Sequence, residues 1–144
     1  MGTPDTVNWQ EARIHTRLKL SALWTTVMFF YVYADLFAFL DPKAQRQITD
    51  GTLLPFPITQ LMMLGFAVMM SIPTIMIFLS LALKAGQSRW SNIVVGVVYT
   101  LFAAYTLTLP SSFSYIYFES LEILFTGYIV RSAWNWPVQR AEAR

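Results

Sequence analysis

Cysteine is missing from this chain of 144 residues, and with it structural disulfides, thiol redox chemistry and Cys-ligated zinc or iron–sulfur centres. Histidine occurs once, as His15, so a bis-histidine haem or a histidine-rich metal centre within one subunit is excluded. Charge is also scarce. Asp, Glu, Lys and Arg make up 12% of the residues, against about 25% in soluble domains. A net charge of +2 and the lack of a basic stripe with interleaved aromatics leave nothing that selects nucleic acid. No phosphate-binding glycine loop, nucleophile elbow or zincin motif occurs. No cofactor is called for, and an enzyme is the least supported class: paired carboxylates can do acid–base work, but no nucleophile accompanies them here.

What the chain does have is apolar length. Hydrophobic residues make up 56% of it, and the mean hydropathy is +0.48. A membrane-spanning helix needs about 20 mostly apolar residues, and four segments meet this: about 18–40, 58–83, 91–109 and 112–133. The first follows a lead-in of residues 1–17, exceeds the usual hydrophobic length of a signal peptide and lacks a clear small-x-small cleavage site, so it reads as a retained helix. Pro110-Ser111-Ser112 reads as a tight turn between the last two helices, and 134–144 as a tail. The expected fold is all-α: a polytopic transmembrane four-helix bundle, antiparallel, forming a single domain over 18–133.

Basic residues orient such a bundle, because cytoplasmic loops carry the excess of Lys and Arg. Arg13, Arg17 and Lys19 precede helix one, Lys84 and Arg89 flank the second connection, and Arg131, Arg140 and Arg144 lie at or beyond the end of helix four. The opposite side has only Lys43 and Arg46, offset by Asp41 and Asp50. Both termini are therefore expected in the cytoplasm. Trp90, Trp134 and Trp136 suit the same membrane interface. The Lys84-to-Asn92 stretch reads as a short basic loop against anionic head groups.

Three carboxylates interrupt the apolar segments: Asp35, Glu119 and Glu122, with no basic residue alongside them. Acids inside a membrane are costly and mark a site, a proton path or a helix contact. Asp35 lies five positions before Leu40, roughly 8 Å inside the outer end of its helix at the usual rise per residue. Glu119 lies seven positions after Ser112, roughly 10 Å down from the same side, and Glu122 is a turn deeper. With no cation nearby, at least one of the three is expected to be neutral near pH 7.

Helical spacing gathers further residues. Ser112, Tyr115, Glu119, Glu122 and Thr126 share one face, as do Trp24, Met28, Tyr31 and Asp35. Asn92, Gly96, Tyr99, Ala103 and Thr106 form a stripe on helix three, and Gln60, Ala67, Ser71 and Thr74 one on helix two. These four stripes are expected to line a shared interior, with Tyr31 and Tyr115 as hydrogen-bond or cation–π partners of the acids. Pro73 removes a backbone hydrogen bond in the middle of helix two and is the candidate kink. The methionines Met62, Met63, Met69, Met70 and Met76 scatter around that helix, which fits packing better than a copper(I) ligand face.

Several stretches are similar to a family of small prokaryotic four-helix membrane proteins classed as a domain of unknown function. They are Lys19-Leu20-Ser21-Ala22-Leu23-Trp24, Tyr33-Ala34-Asp35, Ile72-Pro73 with Met76 and Leu79-Ser80, and Arg89-Trp90-Ser91-Asn92-Ile93. Members often carry an acid just before the Ile-Pro pair, where this chain has Ser71. The resemblance implies the four-span fold, a bacterial or archaeal cytoplasmic membrane and an interest in Asp35, Pro73, Arg89 and Asn92, with no particular activity attached.

Two functional classes therefore stand. In one, a small integral membrane protein binds or transports a proton or small cation through its carboxylates, as a homo-oligomer in view of its size. In the other, it is a non-catalytic accessory subunit of a larger membrane complex, and the same acids are helix contacts.

Overall fold

The computed structural model describes residues 14–53, 56–109 and 112–137. It is helical throughout apart from one two-residue hairpin. The elements are α1 (Thr16–Leu40), α2 (Pro42–Thr49), β1 (Thr52–Leu53), β2 (Phe56–Pro57), α3 (Gln60–Ala82), α4 (Ala85–Thr106) and α5 (Phe113–Trp134). Pro55, the Pro110-Ser111 part of the expected turn, 1–13 of the lead-in and 138–144 of the tail lie outside the described residues.

Local chemistry sets most of the ends. Thr59 caps α3 by accepting the Met62 N–H at 3.1 Å, and Ser112 caps α5 by accepting that of Tyr115 at 3.4 Å. Both hydroxyls satisfy a backbone donor with no partner in the helix. Asp41 ends α1 and also caps α2, accepting from the Lys43 N–H at 2.9 Å, with Pro42 at the first helical position. After α2 the chain reverses through Gly51 at φ 73°, a backbone shape that favours glycine, into the antiparallel pair Thr52↔Pro57 and Leu53↔Phe56. α2 and this hairpin occupy a stretch where the sequence reading has no element.

α4 also differs from expectation. It begins at Ala85 and not near Ser91, so the expected basic loop is largely helix, and Arg89 and Asn92 stand in the first two turns of α4. The polar residues Ser88 and Asn92 do not break it, because both are buried and find partners inside.

The long helices pack α1 on α3 and on α5, and α4 on α5, with a thinner contact of α3 on α4 that closes the ring. Each presents residues three and four apart. They are Leu20, Trp24, Val27, Tyr31 and Ala34 on α1, Pro73, Met76 and Ser80 on α3, and Asn92, Gly96, Tyr99 and Ala103 on α4. On α5 they are Glu119, Glu122, Thr126, Ile129 and Ala133. Three of the four expected stripes are thus inward-facing over most of their length. The α3 stripe is not: Gln60, Ala67, Ser71 and Thr74 are all exposed. Ser71 and Thr74 bond the carbonyls of Ala67 and Met70 at 2.7 and 2.8 Å. A hydroxyl satisfied by its own helix needs no interior partner.

The distribution of polarity is inverted relative to a soluble domain. Glu119, Glu122, Asn92, Ser80, Ser88 and Thr126 are buried, while Leu61, Phe78, Leu101 and Leu124 are each more than 60% exposed. α1 and α3 are long and apolar enough to cross a membrane.

Candidate functional site

The acids lie toward the end of the molecule that carries α2, between α1 and α5. Glu119 and Glu122 are 3% and 1% exposed. Tyr31 stands beside Glu122 from α1, and Tyr115 and Thr106 beside Glu119 from α5 and α4. Asp35 is exposed on α1, a turn beyond Tyr31, close enough for its charge to act on both glutamates. The expected gathering of Asp35, Glu119, Glu122, Tyr31 and Tyr115 is therefore what the packing of α1 on α5 produces. No lysine or arginine among the described residues neighbours the acids.

Four polar atoms in this cluster are buried without a hydrogen-bond partner: Tyr31 Oη, Glu119 Oε2 and both carboxylate oxygens of Glu122. The large majority of buried side-chain polar atoms in folded proteins are satisfied, so four orphans in one place, with two isolated ones elsewhere at Arg17 Nε and Arg89 Nε, call for an explanation. Among the described residues no group of three or more His, Asp or Glu is arranged to hold a metal ion.

Below Tyr31 the interior is held by a different kind of polar contact. The Tyr31 and Trp24 rings both meet Tyr99 edge-on, at 6.4 and 6.3 Å between centroids. The Tyr99 hydroxyl donates to the Met69 carbonyl. That carbonyl is the one left open by Pro73, which has no N–H to offer the residue four positions before it. Pro73 itself is buried within a continuous α3. Its consequence in the structure is this acceptor for Tyr99.

Further along, Trp24 Nε1 donates to Asn92 Oδ1 at 2.7 Å, and the Ser80 hydroxyl shares its one proton between that oxygen at 3.1 Å and the Met76 carbonyl at 2.7 Å. Asn92 Nδ2 donates to the Ser88 carbonyl at 2.7 Å, and the Ser88 hydroxyl to the Ser80 carbonyl at 3.1 Å. Ser21 donates to the Ile77 carbonyl at 2.9 Å. This network ties α1, α3 and α4 together with every side-chain group paired, the opposite of the acid cluster. Sequence reading placed Asn92 both at the end of the basic loop and on the interior stripe of helix three, and did not connect it to Trp24 or Ser80. The available signal was that Ser21, Trp24, Ser80 and Asn92 all fall within the stretches that carry the family resemblance.

Basic groups collect at this same end. Arg17 reaches the Leu81 carbonyl at 3.5 Å and Arg89 that of Trp134 at 3.3 Å. Each guanidinium so covers a carbonyl in the last turn of a neighbouring helix, where intrahelical donors run out. Lys19 Nζ sits 4.6 Å from the Tyr128 ring centroid, a cation–π distance.

With this geometry in place, the similarity in sequence can be read against it. The chain belongs to a family of unknown function, DUF6326, whose model matches residues 5–142. Neither a curated protein nor a solved structure matches it.

Proposed function

We propose that this is an integral membrane protein in which α1, α3, α4 and α5 all cross the bilayer as an antiparallel four-helix bundle. Both termini face the cytoplasm, and a proton or small cation binds and crosses at the Glu119–Glu122 pair. α4 and α5 have 22 residues each, about 33 Å at the usual helical rise, which matches the hydrocarbon core. They pack on the two helices apolar enough to span, and their outward residues Val94, Val98, Leu101 and Leu124 are apolar. Arg17, Lys19, Lys84, Arg89 and Arg131 share one end, and the other holds Lys43 and Arg46 offset by Asp41 and Asp50. That bias supports a cytoplasmic side for the first end, and we read the membrane as a cytoplasmic one.

The observation that carries the functional reading is the group of buried, unpartnered oxygens on Glu119, Glu122 and Tyr31. An ionised carboxylate left alone in an apolar interior is too costly to persist, so a positive charge accompanies it. Purified protein reconstituted into liposomes tests this by flux of protons, sodium and potassium. Flux that falls in Glu122→Gln and Glu119→Gln supports it; flux absent for every cation, or unchanged in both variants, sinks it.

A second reading has its own support. α3 buries only Pro73, Met76 and Ser80, and an apolar groove of about 560 Å³ runs between it and α4, lined by Ile72, Ile75, Leu79, Trp90 and Val94. In an accessory subunit or homo-oligomer this face would receive a neighbouring helix. Crosslinking from Ile75 in native membranes tests it: capture of a defined partner or second copy supports it, and labelling by lipid alone counts against it.

A further inference from the structure

The cation proposed above has so far been left as a proton or a small ion, and the surroundings of Glu122 discriminate between them. We infer that the species held there is a proton, carried by the Glu119–Glu122 pair beside Tyr31 and exchanged with the outer side past Asp35. This rests on the reading of the acid pair as a cation site.

The first ground is space. Grooves along α3 and between α3 and α4 are lined by none of the acids. Glu122 sits at 1% exposure among packed helices. An organic cation needs a cavity of its own size, and a proton needs none.

The second ground is the donor set. A dehydrated metal cation is held by about six oxygens. Here Thr126 Oγ1 already donates to the Glu122 carbonyl at 2.7 Å and accepts from Thr100 Oγ1 at 2.8 Å. The free oxygens are Glu119 Oε2, the two of Glu122 and Tyr31 Oη, and no metal-holding group of acids exists among the described residues. Two carboxyl groups beside a phenol are too few for a cage, and a carboxyl group can carry a proton on its own.

The third ground is connectivity. Glu122 is faced from α1 by Tyr31 and Asp35, with Tyr99 of α4 behind Tyr31, and from its own helix by Glu119 and Tyr115. α3 brings no titratable group. Toward the outer end the sequence Glu122, Glu119, Asp35 reaches an exposed carboxylate. Toward the inner end the polar groups are already engaged. Thr100 bonds Thr126, Tyr99 bonds Met69, and the Trp24–Asn92–Ser80 contacts are satisfied. The exposed end of this arrangement is therefore Asp35, where a proton exchanges with the outer side.

Infrared difference spectroscopy of the full-length protein in lipid bilayers tests the inference. The expected result is a carboxyl C=O band that titrates with pH, is lost in Glu122→Gln and persists in Glu122→Asp. At fixed pH, sodium, potassium, calcium and tetramethylammonium should leave it unmoved. Asp35→Asn should keep the band and slow its exchange in deuterium oxide. A band displaced by any of those cations at fixed pH would overturn the proton assignment while leaving a cation site in place. No titrating band sensitive to residue 122, in a protein whose circular dichroism is unchanged, would overturn it outright. An intact band with no flux in liposomes would reject transport and leave the bound proton standing.

Discussion

Tyr99 and Pro73 show how one residue's deficiency becomes another's binding partner. Pro73 withholds an N–H from the Met69 carbonyl, and Tyr99 replaces it from the neighbouring helix. Removing the hydroxyl with Tyr99→Phe leaves a buried carbonyl unsatisfied, at a cost of about 1–3 kcal/mol. In a Pro73→Ala background the backbone supplies its own N–H, so the same Tyr99→Phe change should cost markedly less. A double-mutant cycle on unfolding in detergent measures this coupling, and equal costs in both backgrounds would refute the relation. Asn92 offers a second case. Its amide oxygen accepts from both Trp24 and Ser80, so Asn92→Ala strands the Trp24 indole N–H and should also cost about 1–3 kcal/mol. Ser80 has a second acceptor in the Met76 carbonyl at 2.7 Å, so Ser80→Ala should cost less than Asn92→Ala in the same assay.

At the scale of helices, α4 approaches α5 closely at Gly96. A Cβ there would stand 2.8 Å from Val130 Cγ2, closer than packed carbons allow. Gly96→Ala should therefore destabilise by about 1–3 kcal/mol, the usual cost of overpacking. Val130→Ala should recover part of the loss, which thermal unfolding of the single and double variants will show. Small residues at such positions are what lets two membrane helices meet, and the Gly96 stripe was legible in the sequence for that reason. So were the α1 and α5 faces, because Tyr31, Glu119 and Glu122 fall at helical spacing within apolar runs. The α3 face was not. Ser71 and Thr74 look like interior polar groups, yet they close on their own backbone, and the inward residues Pro73 and Met76 carry no polarity that distinguishes them from their neighbours. The start of α4 was hidden for the converse reason. Ser88 falls in what reads as a basic loop until its hydroxyl is seen to reach the Ser80 carbonyl across the α3–α4 corner. α2 is a single short element whose Asp41-Pro42 start is a recognisable cap, obscured by its place in a polar connection.

For the whole molecule, the number of crossings decides which connections share a side. Among the described residues α1 and α3 meet the criteria of length and apolar composition for a span, and the four-span reading proposed above adds α4 and α5. A two-span chain puts the α4–α5 corner on the same side as the α3–α4 corner; a four-span chain puts it with α2. Because the chain has no cysteine, single substitutions report without a background. Gln45→Cys on α2, Gln87→Cys at the start of α4 and Thr108→Cys beyond its end are all at exposed positions. In right-side-out membrane vesicles an impermeant maleimide should label Gln45→Cys and Thr108→Cys directly, and Gln87→Cys only after permeabilisation. Labelling of Thr108→Cys together with Gln87→Cys would leave α4 and α5 on the inner side of the membrane. It would also take Glu119 and Glu122 out of the hydrocarbon, and with them the reason for a buried positive charge. The orientation of one corner thus bears on the acid site itself, since four crossings would set the carboxylates at depth in the hydrocarbon and two would not.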